Sequence, residues 1–120
     1  MDKKKEWSVK IFLFDKEYNK LEKIADELDY SVKKLVNKSI RYALKDFEKN
    51  KKIKRLEYVE YHKDGELRIY SFKIKEKRYI RLKEISKNIA MSKKELVKCI
   101  ISYYPKVIQE KENQMLESTF

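Results

Sequence analysis

Residues 8–14 read Ser-Val-Lys-Ile-Phe-Leu-Phe, and the alternation sorts them by face. In an extended chain successive side chains point to opposite sides. Ser8, Lys10 and Phe12 therefore share one face, and Val9, Ile11 and Leu13 the other. The pattern returns at 69–75, where Ile69, Ser71, Lys73 and Lys75 alternate with Tyr70, Phe72 and Ile74. Lys10 and Lys73 supply ammonium donors, Ser8 and Ser71 supply hydroxyls, and Phe12 and Ile69 supply apolar surface beside them. Such a set suits hydrogen bonding to an acceptor-rich ligand. A second set is Ser31-Val32-Lys33-Lys34 and Ser92-Lys93-Lys94. A serine at a helix start accepts from N–H groups of the first turn, and that end of a helix carries partial positive charge suited to phosphate. The plain alternative is an exposed strand with stray apolar side chains, and ordinary caps beside solvated lysines. For the serines both readings hold together, because a cap can also face a phosphate.

Little else in the chain offers chemistry. His62, Cys99, Gly65 and Pro105 are each the only residue of their kind. One cysteine excludes an internal disulfide and a cysteine-rich metal site. One histidine and one glycine leave little material for a catalytic triad, a zinc site or a phosphate-cradling loop. The carboxylates belong to a chain that is 42% charged, where solvated helix faces account for most of them. The expectation is a protein that is not an enzyme and takes no cofactor or metal.

At 120 residues the chain has the size of one domain, or of two very small units sharing a core. A hydrophobic content of 42% is too high for a disordered tail. Lys and Arg number 31 against 20 Asp and Glu, a net charge of +11 that favours nucleic acid or a membrane surface. No stretch approaches the roughly 18 apolar residues of a membrane span. The basic start Met1-Asp2-Lys3-Lys4-Lys5 leads into an alternating segment and not an apolar signal core. A cytoplasmic protein without membrane contact is expected. Abundant Lys, Glu, Ile and Tyr with one Gly fit a hot-environment origin, and AT-rich codon usage gives much the same composition.

The positions of these residues follow from an internal repeat. Shifted by 61, residues 9–48 fall on 70–109 without a gap: Tyr18 meets Tyr79, Leu21 meets Leu82, Ile24 meets Ile85, Ser31 meets Ser92 and Leu35-Val36 meets Leu96-Val97. Each copy reads as a strand and two one-sided helices. The first helix carries Tyr18, Leu21, Ile24, Ala25 and Leu28 in one copy, and Tyr79, Leu82, Ile85 and Ile89 in the other. The second carries Val32, Leu35, Val36, Ile40, Ala43, Leu44 and Phe47, matched by Leu96, Val97, Ile100, Ile101, Tyr104, Val107 and Ile108. Tyr42 and Tyr103 recur together and read as core. Pro105 is expected to kink or shorten the last helix. Between the copies, Lys51 to Arg55 extends the preceding helix, and Tyr58 to Ile69 reads as a hairpin turning at Asp64-Gly65.

One strand–helix–helix unit of about 45 residues cannot bury its apolar faces alone. The second copy can supply the missing partner by pairing 8–14 antiparallel with 69–75 over four helices. This arrangement resembles the ribbon-helix-helix family of DNA-binding proteins over about residues 8–48 and 69–108. The likeness lies in the alternating strand, the helix end Glu27-Leu28-Asp29-Tyr30 and the helix start Ser31-Val32, repeated as Lys87-Asn88-Ile89-Ala90-Met91-Ser92-Lys93. Many members have Gly in the turn where this chain has Asp29-Tyr30 and Ala90-Met91. Members usually build the ribbon from two chains. A single chain with two copies is similar to tandem members found among archaeal viral transcription regulators.

The resemblance implies a mainly α fold with a short antiparallel β-ribbon. Two tandem units, 6–48 and 68–109, would form an intramolecular pseudodimer, joined by segment 49–67 and followed by a polar tail, 110–120. It implies double-stranded DNA as partner and a role as transcriptional regulator or repressor, in the host cytoplasm if the protein is viral. The ribbon residues Ser8, Lys10, Phe12, Ile69, Ser71 and Lys73 would read bases in the major groove, which admits a two-stranded ribbon. Ser31, Val32, Lys33, Lys34, Ser92, Lys93 and Lys94 would clamp phosphates. The chain would be a monomer in solution, able to assemble further on DNA, and its diverged copies favour an asymmetric half-site. Two alternatives stand beside this one: an antitoxin-type protein whose tail after Pro105 occludes a toxin, and a basic helical adaptor for RNA or an acidic protein.

Overall fold

A computed structural model describes residues 5–53 and 66–118. Both alternating segments are strands, two residues longer at their N-terminal ends than the sequence pattern suggests: β1 is Glu6–Phe14 and β2 is Leu67–Lys75. They pair antiparallel as a two-stranded sheet, in a register running from Glu6 opposite Lys75 to Phe14 opposite Leu67. Both ends of the ladder are prolonged by the first residue of the following helix. Asp15 N–H donates to the Glu66 carbonyl at 3.2 Å, and Glu76 N–H to the Lys5 carbonyl at 3.0 Å. One face of the ribbon is buried through Val9, Ile11, Leu13, Phe72 and Ile74, with Tyr70 packed at the margin of the core.

The rest of the described chain is mainly helical: α1 Asp15–Glu27, α2 Val32–Asn50, α3 Glu76–Asn88 and α4 Lys93–Ser118. Shifting the bounds of β1 and α1, and the start of α2, by 61 residues gives those of β2, α3 and α4. The apolar stripes close the core as their spacing predicts. Leu35, Val36, Ile40 and Ala43 of α2 lie fully buried against Val97, Ile100 and Ile108 of α4. Tyr42 and Tyr103 pack on this core from its edge. Ile89 departs from its assigned stripe: it follows the last residue of α3 and is exposed, because the chain leaves the helix there. No helix among the described residues is long and apolar enough to cross a membrane.

The two turns between helices share one geometry. Tyr30 N–H reaches the Ala25 carbonyl at 2.8 Å and Asp29 N–H the Asp26 carbonyl at 3.1 Å; Met91 to Ser86 and Ala90 to Lys87 repeat these bonds at 3.0 and 3.4 Å. This is the Schellman closure, which requires a left-handed residue after the cap. Asp29 and Ala90 supply it, with φ of 58° and 53°. Aspartate tolerates that region, whereas the Cβ of alanine crowds the following carbonyl. Ala90→Gly is therefore expected to stabilise the fold by about 1 kcal/mol, and Asp29→Gly by less. Thermal melting checks this as a rise of about 3–6 °C for Ala90→Gly.

Two expectations drawn from the sequence need correction. Helix α2 stops at Asn50, because Lys51 turns left-handed at φ 57° and returns its N–H to the Phe47 carbonyl at 2.7 Å. Pro105 does not shorten α4, which runs for 26 residues against 19 in α2 and takes residues 110–118 of the expected tail into the helix. A proline inside a helix removes one backbone bond and crowds the carbonyl four residues earlier. Burial offsets that cost here: Tyr104 and Pro105 are buried, and Ile108 beyond them is completely so. Further along, Gln109 donates to Glu27 and Glu112 accepts from Tyr30 and Lys38. The hairpin turn expected at Asp64-Gly65 lies outside the described residues.

Candidate nucleic-acid interface

The outward face of the ribbon is ordered by the register. Ser8 lies opposite Lys73, Lys10 opposite Ser71, and Phe12 opposite Ile69, and all six are exposed. Residues two apart on a strand are about 6.6–6.8 Å apart, so the three pairs extend roughly 13 Å along the ribbon. The central pair joins Lys10 to the residue 61 positions later. Its two sides differ in chemistry. Toward one end stand Ser8, Lys73, Glu6 and Lys75; toward the other stand Phe12, 51% exposed, Ile69, 60% exposed, Phe14 and Leu67.

Both helix starts carry the expected caps. Ser31 Oγ accepts from Lys34 N–H at 3.1 Å, and Ser92 Oγ accepts from Glu95 N–H at 3.2 Å. Val32 packs its side chain on the core, so only its backbone at the helix start is available to a ligand. The four lysines are not equivalent. Lys33 Nζ donates to both carboxylate oxygens of Glu6 at 3.1 Å, which offsets its charge. Lys93 Nζ donates to the Tyr79 hydroxyl and lies 4.5 Å from the centre of that ring. Lys34 lies 4.3 Å from the Tyr30 ring centre. Lys94 is exposed and has no partner among the described residues.

Each helix start is fixed to the ribbon by a contact of its own. On one side Asn37 Nδ2 donates to the Lys73 carbonyl and to the Lys33 carbonyl, both at 2.9 Å. On the other, Trp7 stacks on Tyr79 with ring centres 5.2 Å apart, and Tyr79 holds Lys93. Trp7 continues the inward row of Val9, Ile11 and Leu13, a signal the sequence did carry. Asn37 gave no such signal, because its partner is a backbone atom 36 residues away.

A polar cluster braces the α2 start from behind. The Tyr30 hydroxyl donates to Glu112, and Lys38 Nζ donates to the Tyr30 oxygen at 2.7 Å and to Glu112 at 2.9 Å. The bond from Tyr30, and then that from Lys38, hold the Glu112 carboxyl below its ordinary 4.5. The bonds to Tyr30 and Glu112 hold Lys38 above its ordinary 10.5. A lowered carboxyl contributes stability above its unfolded value and loses it as pH falls through the folded one. A raised amine loses its share only as pH climbs through its raised value. The Glu112 share of the brace is thus fully present above about pH 4.5, and the Lys38 share below about pH 10.5.

No family model, curated protein or solved structure matches this chain.

Proposed function

We propose that this chain is a sequence-specific, non-enzymatic regulator that binds double-stranded DNA, laying the β1–β2 ribbon in the major groove as an intramolecular ribbon-helix-helix pseudodimer. The observation that carries the reading is the register of the ribbon. It gathers hydroxyl, ammonium and apolar groups in three opposed pairs on one exposed face, flanked by two capped helix starts. The paired ladder-end bonds, the twin turns and the 61-residue spacing of the elements support a local two-fold axis through Lys10 and Ser71. Along this axis the phosphate contacts would set position and the ribbon would read bases. The segment that an antitoxin would use to reach a toxin continues α4 and is hydrogen-bonded to the body as far as Glu112.

The two ends of the ribbon face suit different bases. Lys73 and Ser8 can donate to guanine O6 and N7, and Phe12 and Ile69 can rest on thymine methyl groups. Selection from a random duplex library is expected to return a non-palindromic site, G·C-rich at one end and T-rich at the other. With about four phosphates neutralised, affinity for that site should fall roughly 100-fold between 50 and 200 mM salt. Affinity indifferent to salt, or equal affinity for RNA of the same sequence, would overturn the reading.

A further inference from the structure

A basic cleft runs along α2 away from its start, with a volume of about 370 Å³. Six cations line it: Lys33, Lys34, Lys38 and Arg41 from α2, Lys75 from the end of β2 and Arg78 from α3. Glu6 answers Lys33 and Glu112 answers Lys38. No acid pairs with Arg41, Lys75 or Arg78 among the described residues. Arg41 lies ten residues beyond the Ser31 cap, so at 1.5 Å per residue the cationic lining extends roughly 15 Å along the helix. That is longer than one phosphate contact at the helix start requires.

The fold does not demand this convergence. The repeat supplies an internal control, because each position has a counterpart 61 residues away. Counterparts of Lys33, Lys34, Lys38, Arg41, Lys75 and Arg78 are Lys94, Glu95, Cys99, Ser102, Phe14 and Glu17. One of the six stays cationic and two are acids, although all twelve positions lie in strands and helices that correspond between the copies. The arrangement also carries an electrostatic cost. Arg78 is half-buried, and burial followed by repulsion from Arg41 lowers its affinity for its proton. Two guanidiniums drawn together without a carboxylate are relieved by an anion that both can hold in bidentate fashion.

We infer that this cleft is a site for a pair of linked phosphoryl groups, held by Arg41 and Arg78 at its far end and by Lys34 and Lys75 nearer the ribbon. Two sources share that chemistry: consecutive phosphates of a bound nucleic acid strand, and a free phosphorylated small molecule such as a nucleoside triphosphate. The volume falls within the range of small-molecule pockets.

The test uses the full chain in phosphate-free buffer, with inorganic tripolyphosphate as probe and calorimetry as readout. One tripolyphosphate per chain is expected, weakened about tenfold or more by Arg41→Gln and by Arg78→Gln. Glu17→Gln and Ser102→Ala, at counterpart positions, should leave it unchanged. Should either arginine variant melt early, Lys75→Gln at the exposed strand end provides the same comparison. Equal uptake by wild type and the cleft variants overturns the inference. No DNA is present in this measurement, so its failure is distinct from failure of the regulator reading. Adding duplex then separates the sources. Competition between tripolyphosphate and duplex assigns the cleft to nucleic acid phosphates, and simultaneous binding of both assigns it to a free phosphorylated molecule.

Discussion

Val9→Asp and Phe72→Asp are each expected to abolish the cooperative thermal transition of the chain, while Ser71→Asp, one residue along from Phe72, keeps it. Val9 and Phe72 stand directly opposite one another on the inward face, each 6% exposed. Their neighbours on that face are Ile11, Tyr70 and Ile74, which offer a carboxylate no cation. An unpaired buried charge costs several kcal/mol even after relaxation. Loss of the apolar side chain adds about 1.5–3 kcal/mol. A domain of this size has about 5–15 kcal/mol in total, so the sum takes most or all of it. Ser71 faces outward beside Lys10, where a carboxylate is solvated and meets an opposite charge. Circular dichroism melts of the three variants compare the two faces. A two-state melt close to wild type for either buried variant would mean the ribbon does not roof the core.

The legible parts of this structure are those governed by a local period. A strand repeats every two residues and a helix about every 3.6, so Val9, Ile11 and Leu13 announced the buried face, and Leu21, Ile24 and Ala25 the helix stripe. Ser31 and Ser92 marked helix starts through a bond only three residues long. Where the deciding contact is distant, the sequence was silent. Lys33 reads as a free clamp until the register brings Glu6 within 3.1 Å of it. Pro105 reads as a helix breaker until Tyr104 and Ile108 are seen buried on either side of it. The end of α2 failed for a different reason, since a left-handed lysine at position 51 is chosen by the path of the chain and not by the residue. The same distinction applies to the site. The six outward ribbon residues follow from the period and the repeat, whereas Asn37 and the Trp7–Tyr79 stack, which fix the helix starts to the ribbon, depend on pairing across the fold.

On the proposed DNA-binding reading, those fixtures make a division between base reading and phosphate gripping measurable. Lys10→Ala and Lys73→Ala should each cost about 1–3 kcal/mol on the preferred duplex, roughly 5–150-fold, and relax preference at the base they meet. Asn37 holds the backbone carbonyl of Lys73 and not its side chain, so that substitution removes a donor and leaves the strand in place. Lys34→Ala and Lys94→Ala should weaken preferred and scrambled duplexes alike, because phosphates carry no direct sequence information. Lys33 and Lys93 are poorer probes of the grip, since their removal also releases Glu6 and Tyr79. Competition titrations of all four variants against both duplexes separate the two roles. A generic basic protein would lose affinity equally at ribbon and helix lysines. Equal losses on both duplexes for Lys10→Ala and Lys73→Ala would mean that the ribbon binds DNA without reading it. A loss confined to the preferred duplex, with Lys94→Ala affecting both, is what a reading face held between two phosphate grips requires.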